Sequence, residues 1–439
     1  MELLGFHDLS WRLRRNLLTA WPEEAYRADF FVRRFMFRRI LVANCPEAVK
    51  HVLVDRFENY VKSSLVRQLL KPLGRGLITS EGDAWRRQRR TVAPTFQPKR
   101  LEAFAPHMVA ATSDMLARWD RQPENVVIDL SVALGELTLQ IVTHTLFSIN
   151  IRGHGAELRS AFLSIDGFGS RPAIADILGL PEWARRRLPS EMAGAAALPD
   201  RIVFGIIERR RRGGGPADDL LAFMLAARDG DGNRAADDIE LRDQIATFFS
   251  AGHETTANAL GWTFYLLSQH PAVEAKLHAE PASLLGERLP DYQDIGELRY
   301  TRMVVEEAMR ILPGANVIPH EALEDDEILG HKVSKGSTVM ISPWLLHRHE
   351  KLWERPRQFD PERFAPERAK ERRRFSYIPF SAGPRACIGA GFAMQEAILV
   401  LAMVAQRFRF RPAPGTKLTP VGVVLIRPRD GLPMRLEHR

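Results

Sequence analysis

Two cysteines in 439 residues, Cys45 and Cys387, are too few for a disulfide framework. No secretory leader is recognisable ahead of them, so a reducing, cytoplasmic setting is expected. No run of about 18 apolar residues occurs, which excludes an evident spanning helix. Arg12, Arg14 and Arg15 interrupt even the apolar N-terminal stretch. Zinc-finger spacing, an RNA-recognition signature and basic-zipper heptads are all missing. The net charge of +8 and pI near 9.7 therefore do not indicate nucleic acid. An acidic protein partner or simple solubility accounts for them instead. Repeats and low-complexity segments are absent too, and 45% hydrophobic with 26% charged residues excludes disorder.

What remains reads as mainly α with small β-sheets. Residues 30–42 mix aromatic and β-branched residues with arginines and predict one or two half-exposed strands. Pro46 opens a helix over 47–54. Helical periodicity then dominates to about residue 310, for example at 101–119, 130–147 and 218–227, with a long helix at Asp238–Gln269. Four arginines, three glycines and a proline at 209–216 read as a surface loop. Short strands fill 322–341, with turns at Gly330 and Gly336. The tail beyond Phe408 is similar, punctuated by Gly415, Gly422 and Gly431. No linker divides the chain, so one domain is expected. Its β-rich part covers about 25–60 and about 315 to the end, and its helical part about 85–310.

The most informative stretch is Phe380-Ser381-Ala382-Gly383-Pro384-Arg385-Ala386-Cys387-Ile388-Gly389, followed at once by an apolar helix over 391–404. A thiol at a helix N-terminus meets unpaired N–H groups and the positive end of the dipole. Both lower its pKa, so a thiolate is expected near neutral pH. Gly383 and Gly389 let the loop fold tightly against a flat ligand. Phe380 shields the sulfur from water, and Arg385 is placed for a charge-assisted hydrogen bond to an anionic group. A lone cysteine is ordinarily a buried structural residue. Here, however, F-x-x-G-x-R-x-C-x-G is complete, and it resembles the haem-binding loop of the cytochrome P-450 superfamily. That resemblance implies haem b with Cys387 as its metal ligand. A thiolate ligand pushes electron density to iron and favours O–O cleavage. Gly389-Ala390-Gly391 also hints at a dinucleotide loop, but a preceding strand and third glycine are missing.

Other segments match the same family in chain order. Trp85 and Arg89, four apart on one helical face, resemble the pair that binds a haem propionate, while Arg86, Arg87 and Arg90 point elsewhere. Ala251-Gly252-His253-Glu254-Thr255-Thr256 lies in the middle of the long helix. An interior glycine costs a helix about 1 kcal/mol relative to alanine. A helix accepting one centrally is either opened for a ligand or notched for a neighbouring helix. The resemblance favours the first: the groove at Ala251 takes dioxygen over the haem, Thr255 donates a hydrogen bond to it, and Glu254 feeds protons. His253 is expected to face solvent or another helix. Glu307 and Arg310 form E-x-x-R one turn apart. By resemblance they are buried and joined by Arg363 of Pro361-Glu362-Arg363-Phe364, a triad that fixes the fold more than it adds stability.

Two departures stand out. Where the family often has an arginine contacting a propionate, this chain has His320, whose charge depends on pH. Leu312-Pro313-Gly314 lacks the double proline often found there.

The resemblance implies the P-450 fold, with the long central helix over the haem and the cysteine loop beneath. It also implies a monooxygenase acting on O2 and a hydrophobic small molecule. Electrons are expected ultimately from NAD(P)H, through a separate ferredoxin- or flavodoxin-type partner and its reductase. Arg86, Arg87, Arg372, Arg373 and Arg374 are candidates for a basic dock. Pocket linings are expected at 65–73, 162–180, around Ala251, and at 316–318 and 420–424. Asp166, Arg171 and Asp176 read as surface residues. Two alternatives stay in view: a peroxide-driven or rearranging haem-thiolate enzyme, which has no need of Glu254 and Thr255, and a non-catalytic haem sensor.

Overall fold

The computed structural model describes residues 16–35, 38–149, 190–215, 219–228, 235–422 and 424–439. The expected lining segment 162–180, with Asp166, Arg171 and Asp176, lies outside the described residues. So do Arg12, Arg14, Arg15, Pro216, Asp218 and Val423.

The longer helices are α1 (Gly82–Val92), α2 (Pro98–Trp119), α3 (Leu130–Phe147), α4 (Ser190–Arg211), α5 (Asp238–Gln269), α6 (Pro271–Leu285), α7 (Arg299–Ile311) and α8 (Ala390–Arg407). Their ends follow local chemistry. Asp237 caps α5 by accepting from the Glu240 N–H at 2.7 Å, with Asp238 and Glu240 in the first turn where the dipole favours them. Pro271 then opens α6 at its first position, where no N–H is needed. Asp129 caps α3, and Ser148 ends it in the left-handed region at φ 53°.

α3 and α5 are neighbours at the centre of the helical part. Phe147 and Phe249 meet edge to face at 4.9 Å, inside a core that includes Met108, Met115 and Trp262. By length and composition α3 could cross a membrane, but 67% of it is buried inside the protein. It is the helix of a core.

Five strands form the main sheet in the order β1 (Phe30–Phe35), β2 (Arg38–Ala43), β8 (Thr338–Ile341), β5 (Ile318–Ala322) and β3 (Tyr60–Lys62). Only β2 and β8 run parallel. β4 (Val127–Asp129), β12 (Pro433–His438) and β9 (Phe408–Pro412) make a second sheet. Two hairpins complete the set, β6 (Asp326–Ile328) with β7 (His331–Val333) and β10 (Pro420–Gly422) with β11 (Ile426–Pro428). The main sheet buries its own cluster around Leu41, Val49, Val52, Val339 and Ile341.

Two expectations are corrected. The helix expected over 47–54 is an α-helix only at Pro46–Lys50 and continues as a wider π turn over His51–Asp55. That turn brings His51 to 2.9 Å from Asp326 and sets the Leu53 carbonyl against Gly383. The loop expected over 209–216 begins later, because α4 runs through Arg211. Arg210, paired with Asp219, is buried.

Candidate active site

The cysteine loop is built by its backbone. The Cys387 N–H donates to the Phe380 carbonyl at 2.9 Å, and the Ala386 N–H donates to Gly383 at 3.0 Å. Gly383 has φ +71°, and a Cβ there would lie 1.9 Å from the Leu53 carbonyl oxygen. Glycine is obligatory at 383, for packing against the π turn as well as for its backbone angle. Gly389 differs from expectation: its φ of −88° suits any residue, and the nearest protein atom to an added Cβ, on Phe96, is 3.8 Å away. Its smallness therefore leaves room beside the loop instead of shaping the chain.

Cys387 keeps accessible surface even though protein groups crowd round its sulfur. Burial pushes the thiol above its ordinary pKa, outweighing the Gly389 N–H and the Arg89 guanidinium that favour the thiolate. This corrects the expectation of a free thiolate near neutral pH. The residue stands three positions before α8, too far for the helix dipole to prevail over desolvation. A coordinated metal deprotonates such a thiol outright. Behind the loop, a cleft of about 620 Å³ is lined by Phe380, Ala390, Gly391, Met309 and Met394. None of its lining comes from α5, and Cys387 is not part of it.

On the other side of the loop, positive charge accumulates. Trp85 lies between two guanidinium groups, Arg385 at 4.2 Å and Arg89 at 5.9 Å from the ring centre. Arg89 donates to the Ala386 carbonyl at 2.9 Å, and Arg385 donates to Ser80 O at 2.9 Å and to the Glu81 carboxylate. Lys62 joins them from β3, 3.4 Å from Glu81, and burial lowers its pKa to about 8 although Glu81 acts to raise it. Sequence reasoning named neither Lys62 nor Glu81. The signal was the strand pairing, which sets Lys62 directly opposite His320.

His320 itself does not behave as expected. Burial, then the Lys62 charge, holds its pKa at about 4, so it is neutral across the physiological range. Its Nδ1 lies 3.2 Å from the Ile318 carbonyl. A carbonyl only accepts, so that nitrogen carries the proton and the other has none to donate to a carboxylate. Lys62, opposite His320 on the neighbouring strand, is the cation nearest this position.

On α5 the helix is unbroken through residues 251–256. Thr255 donates its hydroxyl to Ala251 O at 2.7 Å, and Glu254 is buried, its Oε2 without a hydrogen-bond partner among the described residues. Gly252 is the notch between helices: a Cβ there would meet Val142 Cγ2 of α3 at 2.6 Å. His253 is buried toward α3, its carbonyl accepting from Thr138 at 2.9 Å. Phe96 links this helix to the cysteine loop, stacking on Phe248 at 5.8 Å and lying beside Gly389. Phe248 precedes Ala251 by less than one turn, so this stretch of α5 is tied to the cysteine loop through Phe96.

Glu307 and Arg310 are fully buried and bonded twice, at 2.7 and 2.8 Å. Arg310 also donates to the carbonyls of His347, Pro356 and Gln358, and Arg363 lies 3.4 Å from Glu307. The Asp360 N–H donates to Glu307 at 2.8 Å. The triad thus ties α7 to the segment 347–363. Among the expected docking residues, Arg87 is withdrawn by pairing with Glu240 at 2.9 Å, and Arg86 pairs with Glu58 at 2.5 Å.

These residues suit haem. A reachable soft sulfur can meet the iron, and a cation-rich ledge beside Trp85 can meet the two carboxylates. Such a loop and ledge, under a central helix with an acid–alcohol pair, define a class. The family model for cytochrome P-450 matches residues 20–430, and the chain belongs to that family. It is 39% identical to cyclooctatin synthase of Streptomyces melanosporofaciens over 85% of this chain and 81% of that protein. It is 32% identical to the cyclooctat-9-en-7-ol 5-monooxygenase of the same organism (95% and 90% covered). It is likewise 32% identical to pentalenene oxygenase of Streptomyces avermitilis (98% and 95% covered). A crystal structure of a cytochrome P-450 superposes with a TM-score of 0.82 at 26% identity, over 97% of this chain and 95% of that one. The fold is that of a P-450 and the protein is a cytochrome P-450 monooxygenase.

Proposed function

We propose that this enzyme hydroxylates a C–H bond of a cyclic terpenoid, taking electrons from a separate ferredoxin- or flavodoxin-type partner supplied by NAD(P)H. Cys387 would hold the haem iron, with Lys62, Arg89, Arg385 and Trp85 about the propionates. When bound, haem supplies the oxygen chemistry, inserting one atom of O2 into substrate and releasing the other as water. The terpenoid assignment draws on relatives named for cyclooctatin, cyclooctat-9-en-7-ol and pentalenene. The expected lining segments suit an apolar substrate by composition, with Leu69, Leu70, Leu73 and Val317 among them, and the Asn316 N–H donates to Val424 O at 2.7 Å, joining two of those segments.

One observation carries the oxygen-using reading over a peroxide-driven one. Glu254 keeps a buried carboxylate oxygen with no partner among the described residues, one residue from Thr255, whose hydroxyl is already aligned along the helix. A buried acceptor without a protein partner is a station for water, and proton delivery needs a positioned, water-linked acid. The triad of Glu307, Arg310 and Arg363 serves the fold and not the chemistry.

The test is optical titration of the ferric protein with cyclic sesquiterpenes and diterpenes, followed by turnover under 18O2. A blue-shifted Soret band and one labelled oxygen in the product are expected. A shift with fatty acids alone would remove the terpenoid assignment, and unlabelled product would remove the monooxygenase mechanism.

A further inference from the structure

Glu81 sits among the cations beside Trp85, and none of the features that identified the site requires it. Its Oε1 accepts from the Lys62 backbone N–H at 3.0 Å and from the Lys62 ammonium at 3.4 Å. Its other oxygen accepts from Arg385. Two cations of the ledge are thereby engaged by one carboxylate of the protein itself. Arg89 is the third cation, directed to a backbone carbonyl, and has no carboxylate partner among the described residues. Of the other charges nearby, His320 is neutral, Arg67 is paired with Glu321, and Arg86 lies on the solvent side with the exposed carboxylates Asp83 and Glu58. Within the ledge itself, three cations against one carboxylate leave a surplus of two positive charges. A haem carries two propionates.

The geometry points to Glu81 as a built-in rival of a haem propionate: it shares Lys62 and Arg385 with that carboxylate, loosens the haem and lowers its reduction potential. The inference rests on the haem reading above and adds a residue to it. The physical basis is Coulombic. Like charges sharing partners in a partly desolvated site repel, and each weakens the hold of the other on the common cations. A negative charge near the haem edge also favours ferric over ferrous iron, because reduction adds an electron. The Glu81 side chain is only 26% exposed and that of Arg385 22%, so solvent screens the contest weakly.

If Glu81 instead served only to position Arg385, its removal would free that guanidinium and haem would be lost faster. The two roles predict opposite signs. Glu81→Gln keeps an acceptor for the Lys62 N–H and removes the charge. The measurement is transfer of ferric haem from the holoenzyme to excess apomyoglobin, together with a spectroelectrochemical titration. Slower haem transfer by several-fold and a higher midpoint potential are expected. Lys62→Met should do the reverse, transferring haem faster. Faster transfer from Glu81→Gln, or transfer and potential both unchanged, would overturn the rivalry while leaving the haem site intact. A wild-type protein with no Soret band would overturn the haem reading, and this inference with it.

Discussion

At the scale of single residues, Glu254 and Thr255 have separable duties. Thr255→Ala removes a hydroxyl whose bond among the described residues is to Ala251 O, and should leave substrate binding and the haem spectrum alone. Product per NAD(P)H should fall about tenfold or more while hydrogen peroxide rises. Glu254→Gln should slow turnover by a similar factor and enlarge the solvent isotope effect. Stoichiometric electron use by Thr255→Ala would count against the relay. A second residue-scale prediction concerns acid. Burial alone would raise the Asp326 pKa, but hydrogen bonds from His51, Tyr60 and the Glu327 N–H, with the His51 charge, bring it down to about 2. A depressed carboxyl stabilises the fold above its unfolded pKa, and that contribution is lost as pH falls through about 4 towards 2. Asp326→Asn should therefore cost about 1 kcal/mol at pH 7, allowing for solvent screening. The thermal-melting difference from wild type should close between pH 4 and 2, and a difference constant down to pH 2 would contradict the ion pair. Sequence alone could not find this site, since its three side chains come from 51, 60 and 326. Cys387, Glu307 and Arg310 were legible because their partners lie within a few residues of one another, or in a motif of fixed length.

At the scale of elements, α5 was readable to its ends because capping is local: Asp237 and the His270-Pro271 boundary mark it in the sequence. What Gly252 does was not readable, since the answer lies on another helix. Gly252→Ala gains about 1 kcal/mol of helix propensity, yet its Cβ would stand 2.6 Å from Val142. Overpacking of this kind costs about 1–3 kcal/mol. The single variant should be less stable in urea, whereas in a Val142→Ala background the same change should become stabilising. Two additive substitutions would show that the helices do not press together there. The E-x-x-R triad acts at this scale too. Breaking a fully buried, twice-bonded pair leaves an uncompensated charge at a cost of about 3–5 kcal/mol, a large share of the 5–15 kcal/mol typical of a folded domain. Glu307→Ala should yield little folded protein, measured as the fraction showing a Soret band. A variant that accumulates and melts like wild type would remove the structural role.

Over the whole molecule, the net charge of +8 is a property of the sequence, but its distribution is a property of the fold. Arginines that looked equivalent in the sequence are not. Arg87 is consumed by Glu240 and Arg373 by Glu47, while Arg372 stacks on Phe364 and Tyr377. Arg374 rests over Phe375 and is the one of the five that is both exposed and without an ion pair among the described residues. An uncompensated cation acts on an approaching acidic partner through the long-range field, which raises the association rate far more than it deepens the bound state. Two consequences follow for reduction by an acidic ferredoxin-type partner. The second-order rate should fall steeply as ionic strength rises and the Debye length shrinks from about 30 Å at 0.01 M to about 8 Å at 0.15 M. Arg374→Ala should slow reduction several-fold at low salt and little at high salt, and the pair deletion Arg87→Ala/Glu240→Ala should change the rate less because it removes no net charge. Stopped-flow reduction across a salt series separates these cases. If both variants match wild type at the lowest salt, electrons enter elsewhere and the surplus charge of the chain serves some other surface.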